Sequence, residues 1–190
     1  MTAPSFAAAL LAGGKSTRMG LDKALIVLPG THLPLWRRQL SVLQELRPQE
    51  ILWSGQARPG LPEDIRVVTD SIAEAGPLAG VDACLQATES DLLLVLAIDL
   101  PRMPPAFLQS LLARCSSECG IVVRHGEYFE PLAAVYPKKL QPLASEHLAH
   151  SRYAMQDFVR EGIRAGLLCE VPLEEKDVSL FQNVNCPEDC

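Results

Sequence analysis

Apolar residues follow two alternating rhythms along this chain. Continuous runs of strand length, Phe6 to Leu11 and Asp91 to Ile98 foremost, alternate with stretches of helical period. A short apolar run bounded by turn residues is the pattern of a strand covered on both faces. This pattern predicts strands over Phe6 to Leu11, Glu50 to Trp53, Arg66 to Thr69, Asp91 to Ile98, Gly120 to Arg124, Leu132 to Tyr136, Leu167 to Val171 and Phe181 to Val184. It predicts helices over Pro34 to Leu46, Pro77 to Ala87, Ala106 to Arg114, Lys138 to Ala149 and Ala154 to Ile163. Ala24 to Leu28 is a further short apolar segment, stopped by Pro29-Gly30. In the first helix Trp36, Leu40, Leu43 and Arg47 share a face, which assigns Trp36 to the core; in the last, Met155, Phe158, Val159 and Ile163 do. Pro59, Gly60 and Pro62 mark a loop, and His125-Gly126-Glu127 a turn. Strands alternating with helices predict an α/β layer fold with a mostly parallel sheet and Phe6 to Leu11 at its centre.

Composition narrows this picture. A chain of 190 residues, 48% hydrophobic, fits one domain spanning residues 1–190 with a sizeable core. The N-terminus lacks the basic region and cleavage pattern of a signal peptide. No apolar run reaches the roughly 18 residues of a membrane span. A cytoplasmic protein without a membrane partner is expected. The net charge of −6 argues against a broad nucleic-acid surface but not against a small phosphorylated ligand. The six cysteines are Cys84, Cys115, Cys119, Cys169, Cys186 and Cys190. No second pair at metal-finger spacing accompanies Cys115 and Cys119, so free thiols are expected. The four histidines form no common motif, and no G-x-S-x-G nucleophile elbow occurs.

The chemistry concentrates after the first strand, in Leu11-Ala12-Gly13-Gly14-Lys15-Ser16-Thr17-Arg18-Met19-Gly20-Leu21-Asp22-Lys23. Paired glycines let the backbone approach a phosphate chain, and successive N–H groups there form an anion-binding concavity. Lys15, Arg18 and Lys23 add positive charge, and a guanidinium grips phosphate with two parallel bonds. A Walker A loop is excluded, because Ala9 stands where its first glycine belongs. The G-x-G-x-x-G fingerprint is absent too. Asp99 directly follows the most apolar run, where a strand leaves the core; magnesium favours one or two carboxylates with phosphate oxygens and water.

This run resembles the L-A-G-G-x-S-x-R-M-G-x-D-K signature of nucleotidyltransferases that load a nucleotide onto a phosphorylated partner. Within them it is most similar to the molybdenum cofactor guanylyltransferases. The resemblance returns at Asp70, Gly76-Pro77-Leu78-Ala79-Gly80, Asp99-Leu100-Pro101, Glu130-Pro131-Leu132 and Asn183-Val184-Asn185-Cys186-Pro187-Glu188-Asp189, covering almost the whole chain. It implies a three-layer α/β/α Rossmann-like nucleotidyltransferase fold. It implies transfer of GMP from Mg²⁺-bound GTP to molybdopterin carrying molybdenum, with release of pyrophosphate. Insertion proteins or apo-molybdoenzymes are the implied transient partners. Two alternatives stay open: cytidylyl transfer to the same pterin or another small phosphorylated compound, and a catalytically silent nucleotide-binding module that delivers cofactor.

The resemblance also implies roles. Asp99 holds Mg²⁺ against the nucleotide phosphates. Lys23 and Arg18 neutralise the triphosphate, while Leu11, Ala12, Gly13 and Gly14 offer backbone contacts. Asp70 contacts the ribose or supports the metal region, although an aspartate there equally suits a helix or turn cap. Gly80, lacking a side chain, lets a flat base lie against the chain. Asn183 and Asn185, two apart on an expected strand, face one side toward the second substrate. One departure bears on the base: relatives often carry an asparagine just after the second strand, where this chain has Ser54-Gly55-Gln56. Ser54 or Gln56 then supplies the hydrogen bonds.

Overall fold

A computed structural model describes residues 4–13, 23–27, 32–70, 72 and 74–183. Seven strands form one sheet: β1 (Phe6–Leu11), β2 (Ile51–Ser54), β3 (Arg66–Val68), β4 (Leu92–Ala97), β5 (Gly120–His125), β6 (Tyr128–Pro137) and β7 (Leu168–Pro172). Five α-helices accompany them: α1 (Leu35–Glu45), α2 (Pro77–Ala87), α3 (Pro105–Leu112), α4 (Gln141–Ala149) and α5 (Met155–Arg164). The spatial order is β3-β2-β1-β4-β6-β5-β7. β1 to β4 are mutually parallel, β6 runs against both β4 and β5, and β7 parallels β5.

Period-2 alternation sorts the strand side chains between two cores. Ala8, Leu10, Leu92, Leu94 and Leu96 pack with α1 and α3 on one face; Ala7, Ala9, Leu93 and Val95 pack with α2, α4 and α5 on the other. That is a three-layer α/β/α arrangement. Every residue of β4 is buried, which explains why its sequence is continuously apolar rather than alternating. Trp36 is in the core, its ring meeting Trp53 edge-on at 5.9 Å. Pro77 opens α2, where its missing N–H has no intrahelical partner to lose.

The short apolar segment begins in a 3-10 turn, Lys23–Leu25, and Val27 makes an isolated bridge with Pro34. Two expectations are corrected. β6 starts at Tyr128 rather than Leu132. Pro131 is tolerated because the β4 ladder stops at Leu96 opposite Ala133, so Pro131 has no β4 residue to donate to. Phe181 to Val184 is not a strand over its described residues: Phe181 ends a 3-10 turn (Glu175–Phe181). Its ring packs edge-on against Phe107 of α3 at 5.6 Å, so it reaches the core without joining the sheet, whose edge β7 already occupies.

Candidate active site

The chain moves outward from β1 to β2 and β3, then returns to place β4 on the opposite side of β1. Ligands of open α/β sheets bind where the strand order reverses, beyond the carboxyl ends of the strands. That reversal lies between β1 and β4, and four strand ends converge around it. Leu11 pairs with Ser54 of β2 and with Ala97 of β4. Beyond the ladder, the Ala12 N–H donates to the Ser54 carbonyl at 2.9 Å, Ile98 N–H to Leu11 at 3.2 Å and Gly55 N–H to Val68 at 3.0 Å.

Beside the reversal, the β1–β2–β3 end and α2 approach one another closely. A Cβ placed on Gly80 would lie 2.5 Å from Ser54 Oγ, 3.3 Å from Leu11 Cδ2 and 3.5 Å from Asp70 Oδ1. A Cβ on Gly13 would have Ser54 O at 3.7 Å and Asp70 Oδ2 at 3.9 Å. Gly55 has φ +133°, which side-chain-bearing residues avoid, and a Cβ there would meet Gly13 N at 3.0 Å. Leu11, Gly13, Ser54, Asp70 and Gly80 are therefore gathered at one point, packed so closely that Gly80 leaves no room for a Cβ beside Ser54 Oγ. Ser54 Oγ donates to Asp70 Oδ1 at 3.3 Å. Burial pushes the Asp70 carboxyl above its ordinary range, and the Ser54 bond opposes this in part. One turn after Gly80, the buried Cys84 thiol is pushed up to about 12 by desolvation, and by the charges of Asp70 and Glu50.

Asp99 stands just past β4, between buried Ile98 and Leu100. Burial raises its carboxyl as well, and the positive charge of Lys23 pulls in the other direction. Lys23, in the 3-10 turn, is thus brought into electrostatic reach of Asp99. Among the described residues no group of three or more His, Cys, Asp or Glu could hold a metal ion. A single desolvated carboxylate fits magnesium, which takes one or two protein carboxylates and draws its remaining ligands from phosphates and water.

Gly14, Arg18 and Asn185 lie outside the described residues. Asn183 is exposed and follows Gln182, whose Oε1 accepts from Arg102 Nη1 at 2.6 Å. Arg102 belongs to the segment that carries Asp99, so the chain next to Asn183 returns to the same end of the sheet. Asn183 is in no strand, so the expected strand face shared with Asn185 has no strand to rest on at Asn183.

Two features were missed in the sequence. Gln39 of α1 is fully buried, and its Nε2 donates to the carbonyls of Ala97 at 3.3 Å and Leu100 at 2.9 Å. With Arg38 Nε donating to Pro101 O at 2.8 Å, it braces the turn bearing Asp99. An amide on the apolar face of a helix, beside Leu40 and one turn before Leu43, was the available signal. The second feature is the β5–β6 hairpin, which continues past the end of β4. Glu130 lies on this overhang opposite Val123. Its carboxyl is raised by burial, opposed by His125, whose Nδ1 lies 3.7 Å from Glu130 Oε1.

This path of the chain recurs among solved nucleotidyltransferases. A molybdopterin-guanine dinucleotide biosynthesis protein A from Archaeoglobus fulgidus superposes with a TM-score of 0.75 at 22% identity, covering 96% of this chain and 94% of that one. A nucleotidyl transferase from Methanothermobacter gives 0.75 at 18% identity, over 97% and 94%. The fold is that of the nucleotidyltransferases. Sequence narrows the class: residues 8–165 match the model of the MobA-like NTP transferase domain, and the chain belongs to that family. It is 37% identical over 98% of its length to a probable molybdenum cofactor guanylyltransferase from Opitutus terrae, 94% of which is covered. A relative of the same name from Pelotomaculum thermopropionicum is 35% identical, with 95% and 87% covered. The molybdenum cofactor guanylyltransferase of Pseudomonas putida is 31% identical, with 94% and 92% covered.

Proposed function

We propose that this protein transfers GMP from GTP to the terminal phosphate of molybdopterin and releases pyrophosphate. The observation that carries this reading is the gathering of Leu11, Gly13, Ser54, Asp70 and Gly80 at the strand ends, beside Asp99 and the positive charge of Lys23. It stands in a chain whose relatives bear the guanylyltransferase name.

In this reading the base lies against Gly80, where α2 offers no side chain, and Ser54 and Asp70 supply oxygens to the nucleoside. The triphosphate follows the backbone of Leu11, Ala12, Gly13 and Gly14. Lys23 and Arg18 offset its charge, so that positioning and electrostatics do the catalytic work. Asp99 would hold Mg²⁺ there, and the metal would supply charge withdrawal at the α-phosphate and at the leaving pyrophosphate. The partner phosphate attacks the α-phosphorus in line. With a second pKa of about 6 it is largely ionised at neutral pH, so neither a protein nucleophile nor a strong general base is required. Asn183 and Asn185 contribute to the second-substrate side. The product passes to insertion proteins or apo-molybdoenzymes in the cytoplasm.

Titration calorimetry with GTP, CTP, ATP and UTP, with and without Mg²⁺, tests the reading. Binding selective for GTP, strengthened by Mg²⁺ and weakened in Asp99→Asn, is the expected result. Selectivity for CTP replaces it with cytidylyl transfer, the alternative that Ser54-Gly55-Gln56, standing where relatives often carry an asparagine, leaves open. No nucleotide binding under any condition overturns the enzyme reading in favour of a delivery module.

A further inference from the structure

Far from the nucleotide end, two thiols meet that the proposed transfer does not use. Cys119 immediately precedes β5 and Cys169 lies in β7, which pairs with β5 in parallel, Gly120 opposite Leu168 and Ile121 opposite Cys169. Their sulfurs are 2.9 Å apart. The backbone on both sides is fixed. Cys119 N–H donates to the Ser116 carbonyl at 3.3 Å and to Ser116 Oγ at 3.1 Å, Ser116 N–H returns a bond to the Cys119 carbonyl at 3.0 Å, and Gly120 N–H donates to Leu167 O at 3.0 Å. Cys169 is exposed and Cys119 half-buried. Among the described residues both are free thiols.

We propose that Cys119 and Cys169 form an oxidant-responsive dithiol that closes to an intramolecular disulfide when the protein meets a peroxide. A disulfide bond is about 2.05 Å long, so closure needs a movement of less than about 1 Å. The exposed Cys169 sulfur attacks one oxygen of the peroxide. The O–O bond breaks, giving a sulfenic acid on Cys169 and, for hydrogen peroxide, water. The Cys119 sulfur then attacks the Cys169 sulfur, the S–O bond breaks, and a second water leaves. Two thiols are oxidised by two electrons in all, and one peroxide is reduced to two waters.

Desolvation, then the contact with Cys169, pushes the Cys119 thiol up to about 11, so it is protonated at neutral pH until its neighbour is activated. The third nearby thiol, Cys115, is pushed up to about 12 by burial first, and then by Cys119 and Cys169. Its Sγ points to the Leu111 carbonyl at 3.3 Å. No metal-holding group forms among the described residues, so the three sulfurs do not make a metal site there.

Closing the bond staples residues 50 apart in sequence, across the span that holds the β5–β6 hairpin, α4 and α5. The start of β5 lies at the opposite end of the sheet from Asp99, because β5 and β4 run the same way through their shared neighbour β6. The staple therefore acts on stability and leaves nucleotide binding unchanged.

The test treats the full chain with hydrogen peroxide, blocks remaining thiols under denaturing conditions and maps the peptides by mass. A linked peptide joining Cys119 to Cys169, with loss of two hydrogens, is expected. So is a rise in melting temperature of roughly 5–10 °C. Both should vanish in Cys119→Ser and in Cys169→Ser and persist in Cys115→Ser. Linkage of either cysteine to Cys115, Cys186, Cys190 or a second chain overturns the proposal, as does peroxide consumption that leaves both sulfurs unlinked. Mapping of the unsubstituted chain decides the matter even where a variant folds poorly.

Discussion

The two ends of β4 each carry an aspartate, and the protein treats them in opposite ways. Asp91, before the strand, accepts from Ser5 N–H at 2.9 Å and Ser5 Oγ at 2.8 Å, and these bonds hold its carboxyl below the ordinary range. Asp99, after the strand, is half-buried, and desolvation holds its carboxyl above that range against the pull of Lys23. One carboxylate is welcomed by the fold and the other is endured. The same division recurs elsewhere. Asp70 and Glu130, at the carboxyl end of the sheet, are raised by burial, while Glu161 is lowered, first by its bond to buried His147. A desolvated carboxylate at a strand end is poised for an incoming cation, whereas a saturated one has nothing left to offer a ligand. The end that destabilises the apo protein is the end assigned to chemistry.

The largest expected break in this comparison is Asp99→Asn. Turnover, followed as pyrophosphate release from GTP and molybdopterin, should fall by about 1,000-fold. The ionised Asp99 is penalised in the fold at neutral pH, and asparagine removes that penalty. The melting temperature should hold or rise. A clear fall in melting temperature with turnover preserved would make Asp99 structural and erase the contrast.

Gly80→Ala comes next. The new Cβ would lie 2.5 Å from Ser54 Oγ and 3.5 Å from Asp70 Oδ1, so the serine must turn away from its bond to Asp70. Nucleotide affinity should drop about 100-fold by calorimetry, or about 2.7 kcal/mol. The matching change at the far end, Cys169→Ala, should leave nucleotide affinity within about twofold, as expected of an exposed surface position.

Elements whose burial is decided locally were legible: the continuous apolar run of β4, the Pro-initiated α2, and the central β1. So were the residues that follow strand ends directly, Gly13, Asp70 and Asp99, because a parallel sheet gathers such positions at one edge. What stayed hidden depends on contacts distant in sequence. Phe181 reads as strand by its neighbours, but its partner is Phe107 on α3. Pro131 reads as a break, but the β4 strand it would interrupt has already ended. Gln39 reads as one polar residue in an amphipathic helix, and only the fold shows it holding Ala97 and Leu100.

Gln39 sharpens the comparison by acting on Asp99 from behind. Replacing it by leucine keeps the bulk and removes both bonds to the turn. The kcat should fall about tenfold with KM changed by less than about twofold, since small misplacement of a reacting group is enough for such a loss. An Asp99→Asn background should show no further tenfold loss from Gln39→Leu, because the group being positioned is gone. Full additivity would mean that Gln39 acts elsewhere.

Asp91→Ala is the smallest effect and the most direct on the satisfied end. It removes acceptors for Ser5 and should lower stability by about 1 kcal/mol, the net contribution of an ordinary hydrogen bond, with kcat unchanged per folded molecule. The pH dependence tells the two ends apart. Asp91 has a folded pKa below its ordinary value of 3.8, so its contribution is present in full above that value and is lost as pH falls through the folded pKa. In urea unfolding, the gap between the parent and Asp91→Ala should be constant at neutral pH and close below about pH 3.8. Asp99 has the opposite sign. Its folded pKa is raised, so its penalty is absent below 3.8 and present above the folded value, and the advantage of Asp99→Asn should grow as pH rises. Two curves that converge in acid from opposite sides of the parent are the expected pattern. Parallel curves at all pH values would place both effects in packing and not in charge.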